Sequence, residues 1–114
     1  MFKKENRLTK KKDFDRIFRL GRASYNKILG VRALENSLKK NRFGVIVSGK
    51  VSKKAVERNR LKRQIKAILK EENNRLKTGI DCVVVALPPI KEVNYNLIKR
   101  SIFAQLKKIG LYNK

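Results

Sequence analysis

The chain contains no histidine and no tryptophan, one cysteine, two prolines and nine carboxylates. Each scarcity removes a class of function. A protein that cleaves phosphodiesters with its own side chains uses histidine as general acid or base, or a cluster of carboxylates that holds divalent metal. Here the carboxylates are Glu5, Asp13, Asp15, Glu35, Glu57, Glu71, Glu72, Asp81 and Glu92, scattered singly apart from two pairs. Asp13 and Asp15 lie two apart on a predicted helix and point to different sides, so they read as favourable charge near its N-terminus. Glu71 and Glu72 read as a solvated helix end. No catalytic or metal-ligating residue is therefore expected. A lone cysteine excludes intramolecular disulfides and Cys-based zinc fingers. Cys82 lies within an apolar run and reads as a small buried hydrophobe.

Long hydrophobic runs are also missing. A membrane span needs roughly 18 apolar residues, and the longest candidate, VVVALPPI from Val83 to Ile90, is short and contains both prolines. The opening MFKKENRLTKKKDF has no apolar segment of the kind that directs secretion. A cytoplasmic protein with no membrane partner is the expectation.

Cationic charge is what the chain has in excess. Thirty-one Lys and Arg leave a net charge of +22, and such self-repulsion opposes compaction unless a polyanion normally lies against the surface. A hydrophobic content of 41% suits a folded protein. With 114 residues, no repeat and no Gly/Ser-rich linker, residues 1–114 read as a single domain. Nucleic acid is the expected partner.

Thr9 is a candidate N-cap for a short helix with Phe14, Ile17 and Phe18 at helical spacing, ending at Gly21. Lys27–Leu34 and Arg42–Gly49 are rich in apolar and β-branched residues and read as neighbouring strands, with polar Glu35–Asn41 between them and a third strand hidden in the poorly periodic ends. A long helix runs from about Lys53 or Ala55 to about Arg75, with Ser52 near its start and Gly79 after its end. Ile80–Leu87 is an unbroken apolar run, the pattern of a central strand buried on both faces. A last helix starts near Asn94, carries Ile98, Ile102, Leu106 and Ile109, and stops at Gly110. The order is α, two or three β, α, β, α, which makes a two-layer sandwich of sheet and helices.

At about 100° per residue, Leu61, Ile65, Ile68 and Leu69 of the long helix share one arc, while Asn59, Lys62, Arg63, Lys66 and Lys70 share an adjoining one. Arg58, Lys62, Lys66 and Lys70 form an i, i+4 row, in which each like-charge pair costs roughly 0.2–0.5 kcal/mol. A charge run is ordinarily a solvated helix face. The overall charge and the near absence of acidic partners between Val51 and Lys70 favour phosphates as counter-charge instead. Arg60 points away from the row and either meets a different phosphate or is solvated.

The residues RNRLKR, preceded by SGKVSKKAVE and followed by QIK, resemble the RNR signature of the bacterial ribonuclease P protein family, the small protein subunit of the ribozyme that removes 5′ leaders from precursor tRNA. Its pattern is Arg-Asn-x-x-Lys-Arg-x-x-Arg. Arg58, Asn59, Lys62 and Arg63 match, and Lys66 stands where Arg is usual. RLTKKKDFDRIFRLG resembles the family's first helix, with Arg7, Leu8, Phe14, Phe18 and Gly21 in order, so the resemblance covers nearly the whole chain.

It implies an α+β fold, a two-layer α/β sandwich of order α-β-β-β-α-β-α with a left-handed β-α-β crossover. It also implies catalytic RNA and precursor tRNA as partners, with no protein partner required, and Mg²⁺ held mainly by the RNA, which carries the chemistry. The implied RNA-binding residues are Arg58, Asn59, Arg60, Lys62, Arg63, Lys66 and Lys70, with Lys53 and Lys54 ahead of them. The leader-binding cleft would be lined by Phe14, Phe18 and Arg32, with Arg58, Asn59, Lys62 and Lys66 along its other wall or on the RNA. From spacing alone, Phe14 and Phe18 read as core, and only the resemblance brings the cleft reading level with that one. Two positions depart from the family: Arg32 stands where many relatives carry an aromatic or another cleft residue, and Gly49-Lys50 where paired lysines are frequent. The same charge and composition would suit a ribosomal or other structural RNA-binding protein, and the long helix would also suit duplex DNA.

Overall fold

The computed structural model describes residues 3–113. The order is α1 (Lys11–Leu20), β1 (Arg22–Tyr25), β2 (Leu29–Glu35), β3 (Arg42–Ile46), α2 (Ala55–Glu72), β4 (Ile80–Ala86) and α3 (Tyr95–Lys108), with single 3₁₀ turns at Lys4–Asn6, Asn73–Arg75 and Pro88–Glu92. The expected α-β-β-β-α-β-α order is thus present, and the extra strand is β1. Its side chains are mostly exposed, so it carried no alternation to read.

The strands lie in the order β1-β2-β4-β3. The two segments expected to be neighbours are therefore separated, because β4 runs between them, antiparallel to β2 and parallel to β3. The reason lies in β4 itself. All of its residues are buried except half-buried Val85, and a run apolar on both faces is stable only at the centre of a sheet. That leaves β3 at an edge, joined to β4 through α2.

Side-chain alternation splits the core in two. Leu29, Val31, Ala33, Phe43, Cys82 and Val84 point to the face covered by α2 and α3, where Leu61, Ile65, Ile68, Ile98, Ile102 and Leu106 complete the main core. Val83, Val85, Leu34 and Ile46 point to the other face, where α1 packs through Ile17 and Leu8 adds to a smaller cluster. Cys82 is fully buried, and burial, reinforced by Asp81, pushes its thiol up to about 12.

α1 is positioned by a few close contacts. Arg32, Val83 and Gly44 stand in line across the sheet. Above them Phe18 meets Arg32 and Ile17 packs on Val83, while Phe14 lies so close to Gly44 that a Cβ there would come within 2.7 Å of its ring. An ion network anchors the helix's first turn. Arg42 donates through Nε and Nη2 to Asp81 at 2.8 and 2.7 Å, and through Nη1 to Asp13 at 3.4 Å. Hydrogen bonding to Asp81 is the main reason the Arg42 pKa is raised.

Two capping expectations change. Thr9 does not cap α1. Leu8 N–H is held by Phe43 O at 2.9 Å, which keeps the chain extended there, and the cap position falls to Lys10, whose side chain makes no capping bond. Glu72 is not solvated either. It is 3% exposed and accepts from Tyr112 Oη at 2.8 Å and Arg75 Nη1 at 3.3 Å, so the end of α2 is clamped by the C-terminal segment. Burial and the bond to Glu72 push the Tyr112 hydroxyl up.

Replacing Arg42 by Met would leave the buried Asp81 carboxylate with Asn36 as its one remaining side-chain donor among the described residues. Stripping one partner from a buried pair is costly, and partial exposure of Arg42 softens the effect. Arg42→Met is expected to lower stability by about 2–3 kcal/mol in urea unfolding, and a change near zero would mean that solvent replaces the guanidinium.

Candidate nucleic-acid interface

α2 buries Leu61, Ile65, Ile68, Leu69 and Glu72, which turns the predicted cationic arc outward. Asn59, Arg60, Arg63 and Lys70 are exposed, and Arg58, Lys62 and Lys66 are half-buried. Among the described residues, no ion pair reaches any of these cations. Arg58 is tied differently from its neighbours, since its Nη1 donates to Ser52 O at 2.9 Å and braces the turn that leads into the helix.

That turn also places Lys53 and Lys54. Both line a hollow of about 680 Å³ at the start of α2, together with Lys50 and Lys91. Ser52 Oγ accepts from Lys54 N–H at 3.1 Å and donates to Glu57. The Ser52 bond holds the Glu57 carboxylate below the usual range. Glu57, the one acidic residue in this half of α2, is thereby spent on the loop.

Lys62 and Lys66 form a ridge with a depression on each side. Towards solvent they border a groove of about 440 Å³ with Asn59, Arg63 and Ala67. Towards the sheet they border a cavity of about 140 Å³ whose other walls include Arg7, Phe14, Gly44 and Val45. The outer groove presents a cationic helix face, and the inner cavity combines an aromatic ring with two ammonium groups.

The residues assigned to a single cleft thus divide. Phe14 is half-buried and joins Lys62 and Lys66 at the inner cavity. Phe18 lies one helical turn further along α1 and is 37% exposed. There it meets Arg32, whose guanidinium is 4.9 Å from the Phe18 ring centroid and 5.6 Å from that of Tyr25. Arg32 Nε donates to Tyr25 Oη at 3.0 Å and Nη1 to Phe18 O at 3.1 Å.

Tyr25 was missed in the sequence. Its ring covers Gly30, the residue opposite it in register, so closely that a Cβ on Gly30 would lie 2.1 Å from the ring. An aromatic side chain laid over a cross-strand glycine was the available signal. The β1 ring lies beside the arginine on β2. Phe18, Arg32 and Tyr25 form a stacked, partly exposed aromatic and cationic surface of the kind that accepts unpaired bases.

No three His, Cys, Asp or Glu side chains among the described residues gather in a way that could hold a metal ion, and no helix among them is long and apolar enough to cross a membrane. The donor set of the described residues does not fit a protein-held Mg²⁺.

The profile of the family described as Ribonuclease P matches residues 2–110. The ribonuclease P protein component of Clostridium botulinum strain Loch Maree is 37% identical over 111 residues, which cover 96% of this chain and 99% of that protein. The Synechocystis protein of the same name is 36% identical over 106 residues, with 92% and 86% covered. The solved structure of the Staphylococcus aureus RNase P protein superposes with a TM-score of 0.87 at 30% identity, covering 95% of this chain and 98% of that one. The Thermotoga maritima RNase P protein gives a TM-score of 0.81 at 29% identity, with 90% and 96% covered. The match spans the cationic helix, the edge strand and the aromatic helix together, and the chain belongs to the ribonuclease P protein family.

Proposed function

We propose that the outer face of α2 docks on the catalytic RNA of ribonuclease P, while the inner cavity and the Phe18, Arg32 and Tyr25 surface hold the single-stranded 5′ leader of precursor tRNA. The observation that carries this reading is the ridge of Lys62 and Lys66, without an ion-pair partner among the described residues and shared by two depressions of different character. Cations facing solvent on a helix suit the phosphate backbone of a folded RNA. Ring faces beside a basic wall suit a sequence-tolerant single strand. The protein is a subunit of the endoribonuclease that matures tRNA 5′ ends.

In this reading scission belongs to the RNA, and the Mg²⁺ ions it uses sit mainly on the RNA, in keeping with described residues that form no carboxylate cluster. The protein contributes leader affinity and counter-charge, and the isolated chain is expected to be inactive. A cytoplasmic location fits these partners.

Two measurements test the assignment. Neutralising Lys62 and Arg63 together with Gln is expected to weaken affinity for the RNA and to flatten its salt dependence by about 2 in log–log slope, one per lost phosphate contact. An unchanged slope would remove α2 from the interface. Phe14→Ala, checked for an intact fold, is expected to weaken leader-bearing precursor by about 1–3 kcal/mol while sparing mature tRNA. Equal losses on both would make the ring purely structural.

A further inference from the structure

The edge formed by β3 is only half covered. β3 ends the sheet, so its side away from β4 has no strand beside it. The N-terminal segment pairs with the beginning of that edge, where Arg7 bridges Phe43 and Leu8 N–H donates to Phe43 O. Backbone groups alternate between the two sides of a strand. With Phe43 O turned outward, Val45 is the next residue to face outward, while Gly44 and Ile46 face β4. Among the described residues no hydrogen bond outside the ladder takes up Val45 N–H or C=O. Val45 lines the 140 Å³ cavity, whose walls also include Phe14, Lys62 and Lys66.

We propose that the main chain of Val45 reads one leader nucleotide, its N–H and C=O each making one hydrogen bond to the Watson–Crick edge of an unpaired base. The inference rests on the leader reading above and adds the atoms that make the contact. Every nucleobase carries a donor beside an acceptor on that edge, and only a single strand exposes them. Phe14 supplies an apolar wall for the base, and Lys62 and Lys66 stand where its phosphate would follow. A backbone donor and acceptor in a recess otherwise depend on water. An extended peptide is the other natural occupant of a sheet edge, but strand addition draws on a row of main-chain bonds. Here Leu8 covers the edge at Phe43 and the strand ends at Ile46, which leaves one residue's pair, and the rim is cationic.

Val45→Pro removes the donor at an edge position whose N–H lies outside the ladder, where proline is tolerated. The protein is assembled with its RNA partner, and affinity is measured for precursor tRNA, for mature tRNA and for precursors carrying one abasic leader position each. The variant is expected to lose about three- to tenfold in precursor affinity, the net worth of one hydrogen bond, with mature tRNA unchanged and one abasic position erasing the difference. Amide exchange at Val45 in the unmodified protein provides the second readout. It is expected to slow when precursor binds and not when mature tRNA binds, and it decides alone if Val45→Pro does not fold. A folded Val45→Pro that binds precursor normally, or Val45 exchange indifferent to the leader, overturns the proposal. It does so while the cleft reading stands if Phe14→Ala still discriminates, whereas loss of discrimination there sinks both. Slowing of exchange by an unstructured acidic peptide and not by precursor would assign the edge to a peptide and overturn it equally.

Discussion

The fold depends on how nine carboxylates are distributed among thirty-one cations. Asp81 and Asp13 are committed to Arg42, which holds α1 on the sheet. Glu72 is committed to Tyr112 and Arg75, which closes the end of α2. Glu57 is held by Ser52 in the entry turn. Four of the carboxylates therefore fix the frame, and among the described residues the α2 row has no ion-pair partner. Repulsion along that row costs a few tenths of a kcal/mol per neighbouring pair, small beside the burial of four aliphatic side chains on the adjoining face of the same helix. The helix survives the charge, and the charge remains available to RNA.

Strand order turns this electrostatic surplus into a site. Because β4 is apolar on both faces it occupies the centre, and β3 is displaced to the edge. α1 then crosses one face with Phe14 at the β3 side and Phe18 at the β2 side, while α2 passes beneath β3 on the other face. The β3 edge, an aromatic ring and two lysines meet as a consequence of that order. Gly44 is the permissive element, since any side chain there would collide with the Phe14 ring.

Periodicity revealed the buried stripe and cationic arc of α2, the apolar centre of β4 and the face of α3, because each repeats over several turns or alternations. Short or exposed features left no such trace. β1 has four residues and little burial, and Tyr25 acquires meaning only from a glycine on another strand. The adjacency of β2 and β3 was inferred from chain proximity, while the actual order follows from which strand must be buried on both faces. The role of Glu72 was invisible because one of its partners, Tyr112, comes from the C-terminal segment 40 residues away. Within the candidate site, the cationic members were legible one by one. Their division between an outer groove and an inner cavity was not, because it depends on how β3 and α1 approach α2.

The proposal is that a cationic ridge with no ion-pair partner among the described residues sorts two RNAs onto its two sides. The most direct measurement is the affinity of the reconstituted ribonucleoprotein for precursors of increasing leader length, compared with the RNA alone. The protein is expected to add nothing for mature tRNA, and its contribution to grow with the first leader nucleotides and then level off once the cleft is filled. A gain that is the same for mature tRNA and for every leader length would contradict it.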